Sequence, residues 1–181
     1  MLDLKTGEIS FQDINSDDWR VTLIDTGLDT MTGGRIRRLK NYLNNETFLL
    51  TYGDGLCDVD INELIKFHKN HKKIATVTAV HPSARFGELS IKDKKVHSFK
   101  EKPQVTQGWI NGGFFVFEPE FLEFLDDDST VLEQDPLEKL SSLGELMAFS
   151  HDGFWQCMDT IRDRDVLESF WRSGEKPWIK K

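Results

Sequence analysis

Residues 48–80 read FLLTYGDGLCDVDINELIKFHKNHKKIATVTAV, and the fold follows from this stretch. It opens on a short apolar run, Phe48–Gly53, and closes on another, Ile74–Val80, each of a length that suits a buried strand. Between them Ile61, Leu64 and Ile65 recur at helical spacing behind Asp60, whose carboxylate suits an N-cap. Two buried strands joined by a helix make a βαβ unit, because parallel strands need a long crossover between them. The expected class is α/β, with an open, mostly parallel sheet flanked by helices.

Working outward, Val21–Ile24 reads as an apolar strand and Asp25–Gly34 as a turn-rich loop. From Arg35 to Leu43, Ile36, Leu39 and Leu43 share one helical face. Residues 1–20 are polar, with weak strand character around Glu8–Phe11. Downstream, Glu88–Ile91 and Val96–Phe99 alternate around the turn KDKK like a β-hairpin inserted into the α/β pattern. A strand at Ile110–Phe117 follows, then helices near Glu118–Leu125 and Val131–Leu143 and a strand at Leu146–Phe149. The last helix is expected over Thr160–Trp171, with Val166, Leu167, Phe170 and Trp171 inward. The Gly and Pro punctuation marks no linker, so one domain is expected over residues 1–181.

The chain of 181 residues is 38% hydrophobic and holds 13 Phe and 5 Trp, enough for a core. Its 23 basic and 31 acidic residues leave a net charge of −8, which argues against general binding of a nucleic-acid backbone. No apolar run is long enough to span a bilayer and no signal-peptide pattern opens the chain, so no membrane partner is expected. Two distant cysteines, Cys57 and Cys157, do not make a disulfide scaffold, and a reducing cytoplasm is the expected setting.

Several short motifs carry chemistry. Gly53-Asp54-Gly55 follows an apolar strand, at the sheet edge where open α/β folds bind ligands. The glycines admit close backbone approach and Asp54 suits a hard cation such as Mg²⁺; a turn Asp bonded to its own backbone is the alternative. Asp159 precedes the last helix, where it reads as an N-cap that could still lend an oxygen to a metal. In Glu101-Lys102-Pro103 the lysine suits a phosphate and the glutamate a sugar hydroxyl, or the stretch is a solvated strand end. Asn111-Gly112-Gly113 puts two glycines in a strand, which calls for a ligand, a bulge, or packing on Trp109. Thr32-Gly33-Gly34-Arg35 precedes a helix whose first N–H groups favour anions, with Arg35 in the first turn, or it is a flexible connector with an incidental Arg. Arg37 and Arg38 are expected to face water and His68 to be structural. Neither cysteine has histidine or acid neighbours at metal-ligand spacing, so no zinc site is expected.

The order of these motifs is more specific than any one of them. The succession VTLIDTG (21–27), MTGGRIRR (31–38), TYGDG (51–55), ARFGEL (84–89), FKEKP (99–103), INGGFFVF (110–117) and GFWQCMDT (153–160) resembles the sugar-phosphate nucleotidyltransferases. TYGDG, EKP and NGG are shared across that family, while MTGGRIRR and GFWQCMDT point to its glucose-1-phosphate cytidylyltransferase branch. The resemblance implies a Rossmann-like nucleotidyltransferase sheet. It implies that Asp54 and Asp159 hold Mg²⁺, that Gly53 lies beside the nucleotide phosphates, and that Thr30 and Arg35 contact the nucleotide, Arg35 with a catalytic part. It places Gly87, Glu101, Lys102 and Asn111 in the sugar-phosphate pocket. The implied reaction joins CTP and glucose 1-phosphate into CDP-glucose and pyrophosphate, for the sugars of surface polysaccharides.

The same family begins with a glycine-rich loop, LAGGxGTRL, and a lysine-bearing KP motif, and neither occurs in these 181 residues. The resemblance therefore covers the carboxyl-terminal two-thirds of one nucleotidyltransferase domain, amino-terminally incomplete. Each preorganised donor to developing charge is worth roughly 10²–10³ in rate, so this chain alone is expected to be inactive. Open strand edges would leave it aggregation-prone, completed by a separate amino-terminal segment, or assembled as a homo-oligomer. Two other functions fit parts of the sequence. Asp58-Val59-Asp60 spells the D-x-D with which nucleotide-sugar glycosyltransferases hold a metal, although Asp60 also suits a helix cap. A non-catalytic sugar-phosphate-binding remnant is the other.

Overall fold

The computed structural model describes residues 5–6, 20–82, 88–92, 94–100 and 108–179. In chain order it forms α1 (Thr32–Arg38), β1 (Phe48–Thr51), β2 (Gly55–Cys57), α2 (Ile61–His71), β3 (Ala75–Val80), β4 (Glu88–Lys92), β5 (Lys95–Lys100), β6 (Ile110–Phe117), α3 (Asp135–Ser142), β7 (Leu146–His151), β8 (Trp155–Cys157) and α4 (Ile161–Ser173). Turns of 3₁₀ helix lie at Lys40–Tyr42 and Pro119–Phe124.

Four strands make an open sheet in the order β1-β6-β3-β7. β3 pairs in parallel with β7, from Ala75 opposite Leu146 to Val80 opposite His151. β6 pairs antiparallel with both β1 and β3. Three of the four strands thus share a direction and β6 runs against them, which gives the open, mostly parallel α/β sheet expected from the sequence. β4 and β5 form the expected hairpin, and β2 pairs with β8 in a separate two-stranded ribbon.

Alternation of side chains across the sheet divides its two faces. On one, Ala75, Phe115 and Phe117 are buried with Ile36, Phe121, Leu122, Leu125, Leu132 and Leu140. The Phe117 and Phe121 rings stack with centroids 3.9 Å apart. On the other face α2 covers the sheet. Asp60 starts this helix by accepting the Glu63 N–H at 3.1 Å, and Leu64 and His68, four residues apart, are fully buried.

The burial of His68 is compensated by a continuous chain of hydrogen bonds. Its Nδ1 lies 2.8 Å from Thr76 Oγ1 and its Nε2 lies 3.0 Å from Glu118 Oε1. His71 Nε2 approaches the same Thr76 oxygen at 2.7 Å, and the Lys73 backbone N–H donates to His71 Nδ1 at 2.9 Å. Burial, and then the neighbouring His68, push the His71 pKa down.

Several boundaries differ from the sequence reading. Val21–Ile24 is in no sheet among the described residues: no described strand lies beside it, and Val21 and Leu23 are 71% and 74% exposed. The first helix starts at Thr32 and stops at Arg38; a 3₁₀ turn at Lys40–Tyr42 follows, and the chain then turns through Asn44 and Asn45 at positive φ. Around Glu118–Leu125 the chain makes a 3₁₀ helix beginning at Pro119, and α3 starts only at Asp135, with Pro136 in its first turn. On α4, Leu167 is buried and Phe170 packs edge-on against Phe154, but Trp171 is 59% exposed beneath the Lys176 ammonium. Val166 is partly exposed as well. The expected strand around Glu8–Phe11 lies outside the described residues.

Candidate active site

The carboxyl ends of β1, β3 and β7 and the start of β6 share one edge of the sheet. Ligands of open α/β folds bind at such an edge. From β1 the chain passes through Tyr52, Gly53 and Asp54 into β2, which pairs with β8 so that Gly55 faces Cys157. The Met158 N–H donates to the Asp54 carbonyl at 2.8 Å and carries the ladder one residue further. Asp54 and Asp159, far apart in sequence, therefore come to the same end of one ribbon, and both are exposed.

Asp159 is not the cap of the last helix. Thr160 is, in a full capping box: its hydroxyl accepts the Asp163 N–H, and the Asp163 carboxylate accepts the Thr160 N–H at 3.0 Å. That leaves the Asp159 carboxylate outside the helix. The Cys157 thiol lies 3.4 Å from one of its oxygens. Burial and that carboxylate push the thiol pKa up, so the S–H stays protonated and donates.

Gly53 has open space where a side chain would be, with nothing among the described residues within 4 Å. Gly112 and Gly113 are glycines for a packing reason. β6 carries a bulge opposite Thr78, where the register shifts between Val77 and Ala79. At Gly113 φ is +77°, and a Cβ would come within 2.6 Å of the Tyr52 ring; at Gly112 it would meet Val80 at 2.8 Å. The Gly112 carbonyl accepts the Trp155 indole N–H at 2.8 Å, which ties β8 to β6.

Asn111 is held at both ends of its amide. Its oxygen accepts the Gly113 N–H at 2.8 Å and its nitrogen donates to the Tyr52 hydroxyl at 3.2 Å. Tyr52 in turn donates to Glu133, and Thr32 donates to the other oxygen of Glu133 at 2.9 Å. Burial first, and the Glu133 contact second, push the Tyr52 phenol up, so it remains a donor. The start of α1 is thus wired to the start of β6.

Thr30 is buried. Arg35 is turned onto the preceding loop, donating to Thr26 Oγ1 at 2.6 Å and to the Leu28 carbonyl at 3.2 Å. The glycines before it form no flexible connector. The Gly33 and Gly34 N–H groups both donate to the Thr130 carbonyl, and a Cβ on Gly34 would strike the Asp128 backbone at 2.6 Å. Those N–H groups are therefore taken up by protein and are not offered to an anion. Arg38, expected in water, forms a two-pronged pair with Asp128, which holds that carboxylate below its usual range. Gly87, Glu101 and Lys102 lie outside the described residues.

The carboxylates of the D-x-D stretch have other partners: Asp60 caps α2, and Asp58 lies 2.8 Å from His151 Nε2. That contact brings Cys57, Asp58 and His151 into one cluster, although the sequence places no histidine near Cys57. Sequence reasoning had no route to it, because His151 is distant in the chain. It also missed Tyr52, Glu133 and Trp155. Tyr52 stands inside the TYGDG motif and was open to notice; Glu133 and Trp155 carry no local signal.

Residues 20–161 match the nucleotidyl transferase family. The chain is 53% identical over 161 residues to the glucose-1-phosphate cytidylyltransferase of Salmonella typhimurium, across 88% of this chain and 63% of that protein. It is 39% identical over 178 residues to the probable glucose-1-phosphate cytidylyltransferase of Bacillus subtilis, across 98% of this chain and 69% of that one. Among solved structures it resembles a putative glucose-1-phosphate thymidylyltransferase from Bacillus anthracis, with a TM-score of 0.59 at 18% identity over 88% of this chain and 67% of the other. The chain thus spans 63% of the length of the Salmonella relative. By sequence match over most of its length, this chain belongs to the nucleotidyl transferase family.

Proposed function

We propose that this chain serves a glucose-1-phosphate cytidylyltransferase reaction, in which CTP and glucose 1-phosphate give CDP-glucose and pyrophosphate for surface-polysaccharide sugars. The observation that supports this reading is that the backbones of Asp54 and Asp159 come to one end of the β2–β8 ribbon, at the edge where open α/β sheets bind ligands. The similarity to two cytidylyltransferases supports the choice of substrates.

In the reaction a phosphate oxygen of the sugar forms a bond to the α-phosphorus of CTP, and the bond to the bridging oxygen breaks in line. Both substrates are anionic, so positioning and charge neutralisation dominate. Two exposed carboxylates at adjacent backbone positions are a hard-oxygen donor set that fits Mg²⁺. Asp54 and Asp159 would hold it, and the Cys157 S–H orients one Asp159 oxygen while the other stays available. Bound Mg²⁺ supplies neutralisation of the charge that develops on the phosphate oxygens. The open face of Gly53 admits the phosphates, and Asn111, fixed by Tyr52 and Gly113, presents its amide to the sugar phosphate. The family resemblance assigns Thr30 and Arg35 to the nucleotide, and Gly87, Glu101 and Lys102 to the sugar phosphate.

The test is calorimetric titration of CTP and of glucose 1-phosphate, with and without Mg²⁺, into the chain and its Asp54→Asn and Asp159→Asn variants. CTP binding is expected to require Mg²⁺ and to be lost in either variant. Binding indifferent to both carboxylates would refute the reading. Pyrophosphate release by the 181-residue chain alone is expected to stay near background, because it contains no LAGGxGTRL loop.

A further inference from the structure

A second cluster of metal-ligating groups lies at the other end of the β2–β8 ribbon. Cys57 Sγ, a carboxylate oxygen of Asp58 and a ring nitrogen of His151 all lie within 4.8 Å of one another. Cys57 ends β2, Asp58 follows it, and His151 ends β7. All three are partly buried. The Asp58 N–H donates to the Phe154 carbonyl at 3.1 Å, which fixes the backbone of one side against the other. His151 Nε2 lies 2.8 Å from Asp58 Oδ1 and 3.4 Å from the Phe154 carbonyl. Because the Asp58 carboxylate only accepts, the nitrogen beside it carries the ring proton, and the proton sits where a cation would be held.

Gly153 adds a separate observation. A Cβ there would fall 2.4 Å from Asp58 Oδ1 and 2.6 and 2.8 Å from His151 Cε1 and Nε2. The backbone is packed directly onto the carboxylate–imidazole pair, which limits the movement of both side chains. Donors held in place before the ion arrives are what a metal site needs.

We propose that Cys57, Asp58 and His151 form a binding site for a zinc-type transition-metal dication, separate from the Asp54–Asp159 pair and independent of the reaction assigned above. A thiolate, an imidazole and a carboxylate together make a borderline-soft donor set of the kind that suits Zn²⁺. Mg²⁺ prefers oxygen ligands only, so the two sites divide by ligand chemistry. Three protein ligands leave a fourth position to solvent or to a further donor. On binding, the Cys57 thiol releases its proton to solvent, and the His151 proton passes from Nε2 to Nδ1 so that Nε2 offers its lone pair. One proton is released per ion. The ion would tie the β2–β8 ribbon to the end of β7.

The test titrates the full 181-residue chain with Co²⁺ and follows thiolate-to-cobalt charge-transfer absorption, then displaces the cobalt with Zn²⁺. The expected result is a band that saturates at one equivalent and disappears on zinc addition. Cys57→Ser should abolish it, and Asp58→Asn and His151→Gln should each weaken Co²⁺ binding tenfold or more. Cys157→Ser and Asp54→Asn should keep the band. Where a cluster variant does not fold, the unmodified chain gives the answer: Zn²⁺ should protect Cys57 from alkylation, as mapped by mass spectrometry. Absence of the band and of the protection, or a band that follows Cys157 and ignores His151→Gln, would overturn the proposal.

Discussion

Replacing Gly113 by Ala should unfasten Asn111. The residue sits at φ +77°, where an L side chain is strained, at roughly 1–2 kcal/mol. The new Cβ would also lie 2.6, 3.1 and 3.4 Å from three Tyr52 atoms, two of them in the ring, which must move away. That movement breaks the Asn111–Tyr52 and Tyr52–Glu133 hydrogen bonds, each worth about 1 kcal/mol. The sum is a loss of roughly 3–4 kcal/mol, and with a urea slope of about 2 kcal/mol/M the midpoint falls by about 1.5–2 M. Gly53→Ala is the control: nothing among the described residues lies within 4 Å of its Cβ and its φ is not in the left-handed range, so its cost should stay within about 0.5 kcal/mol. Urea unfolding followed by circular dichroism measures both. Combining Gly113→Ala with Tyr52→Phe should cost less than the two single losses added, because both remove the same contacts. Equal midpoints for the Gly113 and Gly53 variants would refute the argument.

Thr160→Ala removes the capping box of α4 and should lower stability by about 1 kcal/mol, while Asp159→Ala, which removes no cap, should change the urea midpoint much less. The lowered His71 pKa makes the folded state bind fewer protons than the unfolded chain, so its effect is absent well above the unfolded value of about 6.5 and destabilises as pH falls through it. Urea midpoints should therefore decline below about pH 6.5, and His71→Asn should flatten that decline. Glu145, held below its ordinary value chiefly by Lys73, acts in a separate and lower window: its stabilisation is present above about pH 4.5 and is lost as pH falls further. Lys73→Met should weaken that lower limb and, because the Lys73 charge also helps to lower the His71 pKa, ease the decline below about pH 6.5.

The parts of the fold that were legible in the sequence are those whose signal is local. The apolar runs of β1, β3 and β6, the Asp60 cap and the hairpin around KDKK each announce themselves within a few residues. Val21–Ile24 misled because an apolar, β-branched run states a preference, while a strand also needs a neighbour to bond with. Asp159 was taken for a cap because Asp and Thr both suit that role, and Asp163 three residues beyond Thr160 was the deciding feature. At the candidate site, the motif order marked Asp54, Asp159 and Asn111. The supports of Asn111 could not be read, because Tyr52 and Glu133 meet only after β1, β6 and the segment before α3 are brought together. The same holds for His151 beside Cys57 and Asp58.

Beneath α2, a single main-chain amide dictates how four polar side chains are arranged. A peptide N–H can only give, so the Lys73 amide makes His71 Nδ1 a receiver and assigns that ring's hydrogen to Nε2. His71 then gives to Thr76, whose hydroxyl hydrogen is left to point at His68 Nδ1, and His68 passes its own hydrogen to Glu118. Both imidazoles are thereby locked in one tautomer, and the whole row points from the mouth of β3 toward the carboxylate after β6. Thr76→Val would leave two ring nitrogens facing a methyl group, and the sense of direction would be lost along the entire row at once.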